Sequence, residues 1–228
     1  MSDMVIAIDG PAASGKSTIA KLVAKKLGAY YINTGNMYRA AALAAINKKL
    51  NLDNINEQLL SQFVNDTSLT YTLSHDNKLI LMLDDIPVDP DAIRSSDVSQ
   101  NSSKIAASKV IREWLVNEQR AFTKFGLIVM EGRDIGTNVF PHAIYKFFLT
   151  ASPEVRAIRR LKQDNDEPSD ENVALIAKEI AERDERDSKR ATAPLCQAED
   201  AILVDSSNMN VDEVVDYIAV IVRRLLKH

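Results

Sequence analysis

An α/β protein with a parallel sheet flanked by helices is what this sequence predicts, and three observations carry the prediction. Residues 5–8 (Val5, Ile6, Ala7, Ile8), 126–130 and 144–149 are apolar runs of the fully buried, parallel-strand type. The first run leads into a glycine-bounded loop and then into Ile19, Ala20, Leu22, Val23, Ala24 and Leu27 at helical spacing. Between the first and second runs, residues 69–73 alternate, 74–78 are turn material and 79–83 return as a strand. A hairpin there breaks the βαβ rhythm, so residues 66–89 read as a small inserted antiparallel β subdomain.

The loop after the first run carries the most specific signal. Gly10, Pro11, Ala12, Ala13, Ser14, Gly15, Lys16 and Ser17, followed by Thr18, fit G-x-x-x-x-G-K-[ST] in the required context of strand before and helix after. The small residues let successive backbone N–H groups close around a polyphosphate, and the following helix points its positive end there. Lys16 would reach the β- and γ-phosphates of a triphosphate, and Ser17 would offer its hydroxyl to Mg²⁺. A mere capping turn would leave Lys16 at a helix N-terminus, where positive charge is disfavoured. Lys16 is therefore expected as a surface charge aimed at phosphates, outside the core.

Further along, Gly28 reads as a left-handed helix cap and residues 29–32 as a short strand. Residues 33–39 open an alanine-rich helix, placing Thr34 and Arg39 near its N-terminus as a candidate second phosphate site. The plainer alternative makes Thr34 the N-cap and Arg39 a solvated residue. A short helical period follows at Ile55, Leu59, Leu60 and Phe63. Residues 93–107 and 110–122 are helical, with Ile111, Trp114, Leu115 and Phe122 on the apolar face and Arg94, Ser103, Arg112 and Arg120 read as solvated decoration. The second buried run ends in Glu131, Gly132, Arg133, Asp134, Ile135 and Gly136, charged and small residues at a strand's carboxyl end, where open α/β sheets place ligands.

After the third run Ser152 caps a helix and Pro153 takes its first position. That helix carries Arg156, Arg159 and Arg160, and the polar stretch 163–172 beyond it reads as a mobile lid loop. The next helix, 173 to about 187, continues into 188–190 and sets Arg183, Asp187 and Arg190 on one face. The same segment would also accommodate ordinary surface pairs, Arg183 with Asp187 and Glu182 with Arg186. A strand at 201–204 and a helix opened by Asn210 and Glu213 as a capping box close the chain.

Composition narrows the function. A chain of 228 residues with net charge −4 holds one α/β domain and lacks the basic surface that a nucleic-acid backbone needs, so its anionic partners should be small. The lone Cys196 permits no internal disulfide, no apolar run approaches the ~20 residues of a membrane span, and the first strand begins too early for a signal peptide. A cytoplasmic protein is expected. The arginines at 39, 112, 133, 156, 159, 160, 183 and 190 exceed what one polyphosphate requires and imply a second anionic substrate. His75, His142 and His228 are not placed as a general base near the loop, which suits an acceptor that is itself a phosphate oxyanion. A regulatory GTPase would need Asn-Lys-x-Asp, and Asn47, Lys48, Lys49 and Leu50 fail it.

Residues 10–18, 33–39, 131–136 and 182–190, the last followed by Ala193, Pro194 and Leu195, resemble the bacterial cytidylate kinase family over essentially the whole chain. The resemblance implies a P-loop kinase, acting as a monomer, that moves the γ-phosphoryl group of ATP onto CMP or dCMP with Mg²⁺, giving CDP or dCDP and ADP. It implies a core over about 1–33 and 108–228, an acceptor region over about 34–107 that contains the β insert, and a lid over about 159–190. Ser103, Arg112 and Asp134 would face the cytosine, and Arg183 and Asp187 the sugar. Thr34, Tyr38, Arg39, Arg133 and Arg190 would surround the acceptor phosphate, while Arg156, Arg159 and Arg160 clamp the transferring group. Asn33, where the family often has Asp, and the filling Ala12, Ala13 and Ser14 are departures that remove no required donor.

Overall fold

The computed structural model describes residues 4–52, 56–76 and 78–225, so Ile55, Asn77 and His228 lie outside the described residues. The chain forms two compact units, Met1–Tyr31 with Gly126–His228, and Ile32–Phe125.

A five-stranded sheet has the order β2-β6-β1-β7-β8, with β1 at Val5–Asp9, β2 at Tyr30–Asn33, β6 at Ile128–Gly132, β7 at Tyr145–Thr150 and β8 at Ile202–Asp205. Strand β1 runs parallel to β6, Val5 opposite Ile128, and to β7, Ile6 opposite Tyr145; β7 in turn runs parallel to β8. Every residue of β1 is buried, which is why its sequence is continuous rather than alternating. Helices α1 (Lys16–Leu27) and α8 (Val211–Leu225) pack on one another. Ile19, Val23, Val214, Ile218 and Val222 from these helices bury with Ile6, Ile8, Phe147 and Leu149. Fully burying each such side chain contributes about 1.5–3 kcal/mol.

The helix ends follow their sequence signals. Ser152 accepts from the Val155 amide at 3.3 Å ahead of Pro153 in α6 (Pro153–Asp164). Asn210 and Glu213 bond each other's amides at 2.8 and 3.0 Å.

Between α6 and α7 (Asp170–Ser188) the irregular segment is shorter than the polar stretch suggested. Helix α6 continues through Asp164 and ends on Asn165 at φ 63, and Ser169 caps Asn172 ahead of an acidic first turn. Residues 163, 164 and 170–172 are hydrophilic because they face outward on helices, a pattern that composition does not separate from a loop.

The second unit holds α2 (Thr34–Asn47), α3 (Glu57–Asn65), α4 (Ser96–Ile105) and α5 (Lys109–Ala121), with a sheet of β3 (Leu69–Leu73), β4 (Leu79–Leu83) and β5 (Ile86–Pro87). The expected hairpin pairs Leu69 with Leu83 and Leu73 with Leu79. It gains a third short strand, because Asp84 and Asp85 both take positive φ, as a two-residue type I′ turn requires. The unit extends to Phe125 and takes in α5. Its aromatic residues explain this: Trp114 meets Phe63 edge-on at 6.1 Å, and Phe122, just past α5, meets Tyr71 edge-on at 5.1 Å.

Candidate active site

Strand β1 ends on Asp9 and Gly10, and the loop 10–15 runs from there to α1. Gly10 has φ +151, and a Cβ at that position would lie 2.1 Å from the carbonyl oxygen of Leu149 in β7. Only glycine lets the loop leave the sheet so close to the neighbouring strand. Gly15 caps α1 at φ 92. Ala13 also takes a positive φ, 57, a local strain of about 1 kcal/mol held in the middle of the loop.

Lys16 differs from its expected place. It is 6% exposed, and its ammonium turns back over the loop to donate to the Pro11 carbonyl at 2.7 Å and to Ser14 Oγ at 3.3 Å. Burial, and after it the nearby Arg133 guanidinium, holds its pKa well below the ordinary lysine value, while Glu131, Asp9 and Asp184 act in the other direction. The lysine is thus buried, with Glu131, Asp9 and Asp184 offsetting part of the cost of taking its charge out of water. Ser17 and Thr18 are exposed at the first turn of α1.

Helix α6 brings two of its arginines to the loop. Arg156 donates to the Ala12 carbonyl at 3.1 Å, and Arg159 donates to Ser14 O at 3.1 Å and to the Ser206 carbonyl at 2.9 Å. Arg160 pairs instead with Asp164, one turn further along the helix, at 2.8 Å.

From α7, Asp184 reaches the loop as well: its Oδ1 accepts from the Ala12 amide at 2.8 Å and its Oδ2 from Arg156. Asp187 is 3% exposed, so it is not half of a surface pair with Arg183. It accepts from Arg133 Nε at 2.9 Å and from Arg190. Arg133, Asp187 and Arg190 are therefore brought together, and Arg183 lies half-buried on the same helix. Asp134 is buried and accepts from Asn138 at 3.0 Å.

Asp9 links these pieces. Its carboxylate accepts from the amides of Ile135 at 2.8 Å and Gly136 at 2.7 Å, tying the start of the phosphate loop to the segment just after Arg133 and Asp134. Burial outweighs those hydrogen bonds and raises its pKa from 3.8 to about 6. A carboxyl that protonates more readily folded than unfolded adds stability below pH 3.8 and loses it as the pH climbs through 6. Urea denaturation at pH 4.5 and 7.5 should therefore show wild type gaining about 2 kcal/mol over Asp9→Asn at the lower pH. A pH-independent difference between the two proteins would remove the shifted carboxyl from the account.

The remaining candidates belong to the second unit. Thr34 is buried in the first turn of α2, but the cap is Asn33, whose side chain accepts from the Asn36 amide at 3.0 Å. Arg112 is 3% exposed, against the expectation of a solvated residue; it lies over the Tyr38 ring at 5.7 Å and donates to the Ala106 carbonyl at 3.4 Å. Arg39 and Ser103 are half-buried, on α2 and α4.

Asp184 and the clamping role of Asp9 escaped the sequence reading. A lone acid closing an apolar strand was the available signal for Asp9. For Asp184 it was the i,i+3 spacing from Asp187, which sets both acids on one face of α7.

Among the described residues there is no group of three or more His, Cys, Asp or Glu side chains that could hold a metal ion, and no helix long and apolar enough to cross a membrane. The exposed Ser17 hydroxyl at the head of the phosphate loop fits Mg²⁺, which rests largely on substrate phosphates and water, and does not fit a metal that demands a full protein ligand set.

A glycine-bounded loop after a central parallel strand, with a lysine folded over it and arginines brought to it by α6, defines a P-loop phosphotransferase. The profile of the cytidylate kinase family matches residues 6–224, and the chain belongs to that family. A cytidylate kinase of Clostridium botulinum strain Hall is 45% identical over 224 residues, covering 98% of this chain and 100% of that protein. One from Lactococcus lactis subsp. cremoris is 41% identical over 227 residues, 99% of this chain and 100% of its own length. A third, from Shewanella sediminis, is 42% identical over 213 residues, covering 93% and 91%.

Proposed function

We propose that this enzyme transfers the γ-phosphoryl group of ATP to CMP or dCMP, giving ADP and CDP or dCDP. The observation that carries the reading is the phosphate loop under Lys16, Arg156 and Arg159 in a chain of this family. The acceptor is a phosphate oxyanion that already carries its nucleophilic lone pair, so the protein's work is alignment and charge neutralisation. Lys16, Arg133, Arg156, Arg159 and Arg160 supply positive charge to the transferring group. Thr34, Tyr38, Arg39, Arg133 and Arg190 hold the acceptor phosphate, and Arg183 and Asp187 hold the sugar. Ser17 is the hydroxyl that would hold Mg²⁺, whose chemistry is to neutralise the β- and γ-phosphate oxygens.

Helices α6 and α7 with the loop 165–169 form the lid, about 159–190, whose closure excludes water from the transfer. The substrates are small and soluble, and a cytoplasmic monomer that binds neither membrane nor nucleic acid belongs to the same reading. A coupled assay of ADP release should give turnover with CMP and dCMP, less with UMP and little with AMP; preference for AMP would overturn the assignment.

Base choice should rest on Asp134 with Arg112 and Ser103. Cytosine offers a 4-amino donor to a carboxylate and its ring acceptors to a guanidinium, whereas the 4-carbonyl of uracil would meet the carboxylate lone pair to lone pair. Asp134→Asn supplies a donor for that carbonyl. It should lower CMP activity and raise the UMP/CMP ratio of kcat/KM by roughly tenfold or more. If both substrates fall equally, the Asp134 carboxylate serves a structural contact such as that to the Asn138 side chain and not the base.

A further inference from the structure

Asp184 is the one acidic side chain of α7 that bonds the phosphate loop itself. Its carboxylate bonds the Ala12 amide through one oxygen and Arg156 through the other, and Arg156 also donates to the Ala12 carbonyl. These three contacts close a ring around a single residue of the loop. A backbone N–H in a phosphate loop and an arginine over it are two donors that an incoming polyphosphate would use. A carboxylate that engages both offers them what a phosphate would, negative charge and acceptor oxygens. We propose that Asp184 is a built-in competitor for the donor site: it occupies the Ala12 amide and Arg156 together, and a polyphosphate binds only by displacing it.

Displacement releases both donors in one event and frees α7 from the loop. Asp184 stands next to Arg183 and three residues before Asp187, which Arg133 and Arg190 hold. Losing the contact on the donor side therefore changes the helix that carries acceptor-side groups. Asp184 would then set nucleotide affinity and couple arrival of the donor to the position of α7.

The inference rests on the loop being a polyphosphate site, and inorganic tripolyphosphate is the probe that separates the two. Titration calorimetry on the full chain should show Asp184→Asn binding tripolyphosphate about tenfold more tightly than wild type, the effect of removing one charge-assisted competitor. Asp184→Glu, which keeps the charge but misfits the contact, should shift in the same direction. The Ala12 amide resonance should differ between free wild type and free Asp184→Asn and coincide once tripolyphosphate is bound. Tighter binding in the Asn variant alone, with Glu equal to wild type, would reduce Asp184 to a background charge and overturn the competition. Equal or weaker binding in both variants would overturn it too. If no protein bound tripolyphosphate, wild type included, the phosphate-loop reading itself would fall.

Discussion

Lys16→Ala should lower phosphoryl transfer by about 10²–10³-fold or more while leaving the protein folded. The ammonium is the cation nearest the loop's own backbone, and losing one transition-state donor in a buried site costs on that scale because little solvent is there to replace it. Folding should tolerate the change. Burial already depresses the lysine's pKa, so the native state bears a desolvation cost that alanine removes. Its partners, the Pro11 carbonyl and Ser14 Oγ, lie in a loop and not in a strand ladder. A coupled ADP-release assay with a parallel thermal melt checks both halves. Turnover near that of wild type would sink the phosphate-loop assignment, and an unfolded variant would show that the buried ammonium holds the loop together.

Gly10→Ala should lose far more stability than Gly28→Ala. The new Cβ would sit 2.1 Å from the Leu149 carbonyl oxygen, a backbone atom in the parallel strand beside β1, so neither partner can move without disturbing the sheet. A cost of about 3 kcal/mol or more is expected, together with loss of nucleotide binding as the loop is pushed off the strand. Gly28→Ala is the comparison. Gly28 also has positive φ, 67, but nothing lies within 4 Å of its Cβ position, so only the conformational cost of about 1 kcal/mol remains. Urea unfolding of the two variants separates steric from conformational effects. If Gly10→Ala is no less stable than Gly28→Ala, the close approach of loop and strand is not what requires glycine at position 10.

What the sequence by itself determined is what local spacing encodes. The phosphate loop, the buried runs that became β1, β6 and β7, the hairpin of β3 and β4, and the Ser152–Pro153 and Asn210–Glu213 helix starts all depend on residues within a few positions of one another. Their physics is short-range: a cap bonds an amide three residues on, and a strand with both faces covered has no polar alternation. The family resemblance added a list of residues, but no partners for them.

Tertiary structure alone decided that Lys16 is buried, that Arg112 lies over Tyr38, that Asp9 clamps the amides of Ile135 and Gly136, and that Asp187 sits between Arg133 and Arg190. It also brought Asp184 to Ala12, 172 residues away along the chain. A helical period shows which side chains share a face, as it does for Asp184 and Asp187 on α7, but not what comes to meet that face. Charged residues are where this matters most. The same Asp is a solvated surface group worth a few tenths of a kcal/mol, or a buried ligand of two guanidinium groups, according to whether packing takes water from it. That removal of water is a property of the assembled fold, and no spacing along the chain records it.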